Sequence, residues 1–149
     1  MYQIMVADDE EYILKALKRT INTYTDWEVE TYQDPHEALR RARTTVFDAV
    51  ITDYMMPEMN GLELLQELRD LQPDTIRIVL TGVIDIETVM SAINKAGAFR
   101  FIPKPWDDDQ LLDNIREGLK LRDILLENRI LAETVREQRE TLRSMGYEG

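Results

Sequence analysis

Asp8, Asp9, Asp53, Thr81 and Lys104 each follow directly on a short apolar run, and they are the side chains of this sequence whose types could do chemistry together. Three carboxylates gathered in one place repel, and some would hold protons near neutral pH unless positive charge balances them. Lys104 supplies part of that charge. A divalent cation would supply the rest, and hard, small Mg²⁺ suits an all-oxygen ligand set, keeps several of its own waters and bridges readily to phosphate. Beside a phosphate-bearing donor, an ionised carboxylate such as Asp53 needs no base. It can attack phosphorus in line and become an acyl phosphate, with Lys104 pairing to a phosphoryl oxygen. A lone carboxylate after a strand is ordinarily a helix cap or a loop residue; five suitable residues on four loops call for a shared purpose. With no cysteine and a single histidine, thiol nucleophiles, disulfides, and thiolate or imidazole metal clusters are excluded.

These residues need a scaffold that brings loops together. Apolar runs alternate with amphipathic stretches five times, the pattern of a parallel sheet covered by helices on both faces. Strands are predicted at Gln3–Ala7, Glu28–Tyr32, Ala49–Thr52, Arg77–Leu80 and Phe99–Ile102. The first, third and fourth are almost continuously apolar and should be central. Helices are predicted at Glu11–Asn22, Pro35–Arg43, Gly61–Leu71, Ile86–Lys95 and from about Asp107 onward. Asp34-Pro35-His36-Glu37 combines an N-cap carboxylate, a proline for the first helical position and a glutamate placed for a capping box, and Asp107-Asp108-Asp109-Gln110 repeats the acidic start. In such a sheet, sites form at the carboxyl ends of the strands, where all five residues fall.

The 149 residues are 44% hydrophobic, enough for one core plus an extension, and carry a net charge of −11. The excess of acid holds both before and after Trp106, so this segment lacks the clustered cations that grip nucleic acid; any DNA binding would belong to another domain. No run approaches the roughly 20 apolar residues of a membrane span, and no signal peptide precedes the first strand, so a cytoplasmic location without membrane contact is expected.

The last predicted helix continues past the length a five-helix domain needs. From Gln110 to Arg143 there is no proline, and Leu121, Ile124, Asn128, Leu131, Val135, Gln138 and Leu142 alternate steps of three and four. That is a heptad seam with Asn128 at an a position and Leu131 at d, and it predicts a parallel two-stranded coiled coil and a homodimer. The plainer alternative is a single amphipathic helix that folds back or frays. The expected division is residues 1–120 as the folded domain, 121–143 as a helical linker to a further, output domain, and 144–149 as a tail of the kind cloning leaves.

Val6-Ala7-Asp8-Asp9-Glu10, the Asp53-Tyr54-Met55-Met56-Pro57-Glu58-Met59-Asn60-Gly61 segment, Leu80-Thr81-Gly82 and Phe101-Ile102-Pro103-Lys104-Pro105 resemble, in order and spacing, the four signature blocks of response-regulator receiver domains of bacterial two-component systems. The resemblance covers about residues 2–120. It implies a flavodoxin-like, doubly wound five-stranded parallel sheet, (βα)5, here with an extended C-terminal helix. It also implies Asp53 as the phospho-acceptor, served by a sensor histidine kinase or a small phosphodonor. Mg²⁺ would be ligated by Asp9 directly, by Asp8 mostly through water, and by Asp53 and the backbone carbonyl of Met55. Thr81 would face the phosphoryl group, Lys104 would bind it, Phe101 would switch rotamer, and the Lys104–Pro105 bond would be cis. Such a domain is a regulatory acceptor, with self-phosphotransfer and slow self-dephosphorylation as its only catalysis. The family often has tyrosine where Phe101 stands, so here the switch would report by packing alone.

Two competitors are a Mg²⁺-dependent phosphatase of the haloacid-dehalogenase kind and a phosphorylation-independent pseudo-receiver used for dimerisation. The phosphatase class wants an acid two residues after its nucleophile, where this chain has Met55. Gly82 reads either as room for a phosphate to approach or as a turn residue. His36 reads as a surface residue, Met55, Met56 and Met59 as loop packing, Trp106 as packing for the base of the last helix, and Arg40, Arg41 and Arg43 as a solvated helix end.

Overall fold

The computed structural model describes residues 1–82, 85–90 and 97–146. Five strands, β1 (Gln3–Ala7), β2 (Glu28–Tyr32), β3 (Ala49–Asp53), β4 (Ile76–Thr81) and β5 (Arg100–Pro103), pair in parallel in the order β2-β1-β3-β4-β5. The three strands with unbroken apolar runs are the three central ones, because only a strand covered on both faces can bury every side chain. β3 and β4 are buried throughout, and in β1 only Gln3 is not. The edge strand β2 is instead exposed at Glu28 and half-buried from Val29 to Tyr32, and Glu28 and Glu30 are charges that discourage pairing with another sheet.

Between the strands lie α1 (Glu11–Tyr24), α2 (Pro35–Ala42), α3 (Gly61–Leu71), a helical stretch over 86–90 labelled α4, and α5 (Asp108–Ser144). The predicted helix Ile86–Lys95 lies outside the described residues beyond position 90. The caps follow from side-chain chemistry. Asp34 accepts from the His36 N–H, Asn60 from Glu63 N–H and Asp107 from Gln110 N–H, each satisfying a first-turn donor that has no partner within its own helix.

Two apolar clusters flank the sheet. One joins Ile4, Val6, Ile51, Ile78 and Leu80 to α1 and to the base of α5 through Leu111, Ile115 and Leu119; the other joins Met5, Val50 and Val79 to α2, α3 and Val89. Trp106 packs at the edge of the first, and its indole N–H donates to Asp108. Arg41 is not a merely solvated helix-end cation. Its guanidinium turns back to the Glu30 carboxylate of β2 through two contacts of 3.0 and 2.8 Å. At the starting end of the sheet, Gln72 ties loops together: its carbonyl accepts from Phe47 N–H at 2.8 Å and its amide donates to Ala42 at 2.6 Å and to Thr45.

α5 is one helix of 37 residues, running unbroken through positions 120 and 121. Its fully buried residues end at Leu119, and beyond them Leu121, Ile124, Leu131, Val135 and Leu142 are exposed. Among the described residues no helix is long and apolar enough to cross a membrane.

Candidate functional site

Parallel pairing puts the carboxyl ends of all five strands at one pole, so residues far apart in the chain emerge side by side there. The register aligns Ala7 with Thr52, Asp53 with Leu80 and Thr81 with Pro103, which sets Asp8, Asp53, Thr81 and Lys104 on neighbouring strand ends. Backbone bonds continue the alignment past the strands: Asp8 N–H donates to the Tyr32 carbonyl at 3.0 Å, Tyr54 N–H to Leu80 at 2.8 Å and Lys104 N–H to Thr81 at 2.8 Å. The Lys104–Pro105 peptide is cis.

At this edge the Lys104 ammonium stands 2.7 Å from Asp53 Oδ1 and 3.5 Å from Asp8 Oδ2. Asp8 is fully buried and Asp53 nearly so. Asp8, Asp9 and Glu10 each offer a carboxylate oxygen within 4.8 Å of the others. Glu10 joins the two aspartates in this group, and its place beside the acidic pair and ahead of the first helix is the signal in the sequence that points to it. It is the N-cap of α1 but makes no side-chain cap bond, and its carboxylate, which accepts from the Tyr12 hydroxyl, lies within reach of the acidic pair. Thr81 is buried at the end of β4, and its hydroxyl donates to the Gly82 carbonyl at 3.2 Å. A Cβ built at Gly82 would meet nothing within 4 Å. Met55 lies in the loop after Asp53 with its side chain exposed, while Phe101 is half-buried against the second apolar cluster. His36 lies off the site on the first turn of α2, half exposed, 3.6 Å from Glu58.

The electrostatics are those of a charge-dense, partly dry pocket. Burial pushes the Asp8 carboxyl up to about 6, with the neighbouring Asp53 and Asp9 adding to the shift and the Glu10 N–H and Lys104 opposing it. Burial also raises Asp53, against the hydrogen bond and charge of Lys104. For Lys104, burial works against the ammonium, but Asp53 and Asp8 outweigh it and hold its pKa above the ordinary value. Three acids around one lysine leave excess negative charge, and the donors are all hard oxygens. That set fits a small divalent cation.

The burial of Asp8 has a measurable cost. Its folded pKa lies above its ordinary 3.8, so stability is greatest below that value and is lost as pH rises through about 6. Asp8→Asn keeps an oxygen for the Glu10 N–H, which now donates at 2.9 Å, and removes the buried charge. In the presence of a chelator at pH 8 the variant is expected to be more stable by about 2 kcal/mol. The gap should narrow as pH falls below about 6 and close only below about 3.8, and Mg²⁺ should stabilise the unmodified chain far more than the variant. Urea melts that place the variant level with or below the unmodified chain at pH 8 would refute the assignment.

The response regulator receiver domain family model matches residues 4–116. The chain is 31% identical over 138 residues to the C4-dicarboxylate transport transcriptional regulatory protein DctD of Pseudomonas aeruginosa, covering 93% of this chain and 29% of that protein. It is 31% identical over 118 residues to the hydrogenase transcriptional regulatory protein HoxA of Bradyrhizobium diazoefficiens, covering 79% of this chain and 24% of that protein. The chain thus spans 24% to 29% of the length of these relatives. Among solved structures it is similar to an adenylate cyclase from Rhodopirellula baltica, with a TM-score of 0.82, 32% identity, and 89% of this chain and 97% of that one covered. It is also similar to a response regulator receiver domain protein from Clostridium thermocellum, with a TM-score of 0.78, 31% identity, and 84% and 99% covered. The parallel sheet, the strand-end acids beside Lys104 and a family match across most of its length make this chain a member of the response regulator receiver domain family of two-component systems.

Proposed function

We propose that the chain is a phosphorylation-dependent switch in which Asp53 is the acceptor. The observation that carries this is the contact of Lys104 with both Asp53 and Asp8 at the strand-end pole. A carboxylate oxygen of Asp53 attacks phosphorus in line. The new O–P bond replaces the P–N bond to the donor imidazole of a histidine kinase, or the P–O bond of a small acyl phosphate, and the leaving group departs with the electron pair. Asp8, Asp9, Asp53 and the Met55 carbonyl are the groups that would hold Mg²⁺, which when bound neutralises charge on the transferring phosphoryl group. Lys104 then exchanges its contact with Asp53 for one with a phosphoryl oxygen, and Thr81 turns its hydroxyl from the Gly82 carbonyl toward the same group.

Residues 1–120 act as the switch and 121–143 as a linker that pairs with a second copy and leads to an output domain, with 144–149 as a tail. Phe101 follows Thr81 by repacking, carrying the change to the face formed by α4, β5 and α5. Inverting a 1:99 population takes about 5.5 kcal/mol of differential binding, within reach of a few charge-assisted hydrogen bonds.

Incubation with acetyl phosphate and Mg²⁺ is expected to give a hydroxylamine-labile phosphate that mass spectrometry maps to Asp53. EDTA should suppress it at least about tenfold. Labelling that ignores EDTA, or maps to another residue, would overturn the proposal; no labelling at all would favour a phosphorylation-independent dimerisation module.

A further inference from the structure

The pole opposite the acidic site, where the strands begin, holds an arrangement that phosphoryl chemistry does not use. Asp48 stands immediately before β3 and Asp74 shortly before β4. Arg122, on α5, reaches both: its Nη1 is 2.9 Å from Asp48 Oδ1, and its Nε–H donates to the Asp74 carbonyl at 3.1 Å. The other oxygen of Asp48 accepts from Gln3 N–H at 2.7 Å, so the same carboxylate also holds the start of β1. One guanidinium is therefore joined to the starting ends of β1, β3 and β4, the strands that deliver Asp8, Asp53 and Thr81 at their other ends. Two helical turns further on, Arg129 forks onto the Asp74 carboxylate with contacts of 3.0 and 2.7 Å.

The two arginines differ in weight. Arg129 and Asp74 are substantially solvated, and a pair of that kind contributes little on its own. The side chain of Arg122 is only 13% exposed and that of Asp48 20%, so their contact is less screened and more costly to leave half-made.

Arg122 and Arg129 are seven residues apart and share a heptad position, b in the register that puts Asn128 at a; the half-buried Leu126 between them is at f. Positions b and f lie on the side of a helix away from its a and d residues. The arginine face is thus held by the chain's own body, while the exposed seam of Leu121, Ile124, Leu131, Val135 and Leu142 points away from it.

We propose that Arg122, seconded by Arg129, is a joint that fixes the rotational setting of the α5 extension on its own receiver domain, so that a second copy can dock on the seam side. The docking consequence rests on the dimer reading given above; the joint itself does not. Arg122 is a positioning residue, touching no reacting atom.

Hydrogen exchange on the full chain, at a concentration where sedimentation shows a monomer, tests it. In the unmodified chain the amides of 121–130 should exchange at least about tenfold more slowly than those of 135–143. Arg122→Gln/Arg129→Gln should remove that protection while leaving the strands unchanged and phosphate incorporation at Asp53 within about twofold. Asp48→Asn, which retains an acceptor for Gln3, should reproduce the loss in part. Equal exchange of 121–130 in the unmodified and double-variant chains would overturn the joint, as would a loss spread equally over β3 and β4. If sedimentation finds no dimer at any concentration, with or without beryllofluoride, the dimer reading falls, and the exchange comparison still decides the joint.

Discussion

Asp53→Asn is expected to lower phosphate incorporation from acetyl phosphate by at least about a hundredfold, because a neutral amide oxygen is a far weaker nucleophile toward phosphorus than a carboxylate. The folded state should barely register the change. Asp53 is nearly buried and its carboxyl is raised by that burial, so losing the charge relieves a cost; against this, Lys104 loses the negative charge it meets at 2.7 Å and keeps that of Asp8 at 3.5 Å. The amide oxygen of asparagine can still accept from Lys104, so what is lost is the opposite charge; the two effects oppose, and unfolding free energy should move by less than about 1 kcal/mol. Mass spectrometry of the labelled chain beside a urea melt of the same sample separates the two quantities. Residual labelling near the unmodified level would remove Asp53 from its role, and a large loss of stability would show that the contact with Lys104 is structural first.

The second large effect concerns a residue with no chemistry of its own. A Cβ at Gly61 would lie 2.2 Å from the Asp53 carbonyl oxygen and 3.0 Å from both the Asp53 carbonyl carbon and Tyr54 Cα. These are backbone atoms, so no rotamer change can relieve the clash. Gly61 also donates its N–H to the Tyr54 carbonyl at 2.8 Å, which pins the first turn of α3 directly beneath the acceptor. Gly61→Ala should therefore cost about 3 kcal/mol or more and displace the end of β3. Labelling of Asp53 should slow even in that fraction of molecules that stays folded. Gly82→Ala is the matched control: a Cβ there meets no atom, so its melt should differ from the unmodified chain by less than about 0.5 kcal/mol. Equal melts for the two alanine variants would refute the steric argument.

Gly61 also marks where sequence reading ran out. Its place at the start of a helix was legible, but its need to be glycine depends on how closely α3 approaches β3, a distance set by packing alone. The central strands were legible because burial on both faces demands the unbroken apolar runs of Ile4-Met5-Val6-Ala7, Ala49-Val50-Ile51 and Ile78-Val79-Leu80. The convergence of Asp8, Asp53 and Lys104 was legible for the same reason: parallel strands deliver their ends to one pole. The partners of Arg41 and Arg122 were not, since a long cationic side chain on an amphipathic helix looks solvated until the fold shows which carboxylate it can reach. Glu10 stood in plain view beside the acidic pair, yet an acid ahead of a helix ordinarily serves the helix dipole.

α5 begins three residues after Pro105 and runs without a break for 37 residues, about 55 Å at the usual rise. A rod of that length acts as a lever arm. The stretch beyond the Arg129 contact extends for about 22 Å, and a tilt of about 5° there swings the tip through about 2 Å. A small change in the setting of α5 is therefore enlarged along its exposed extension.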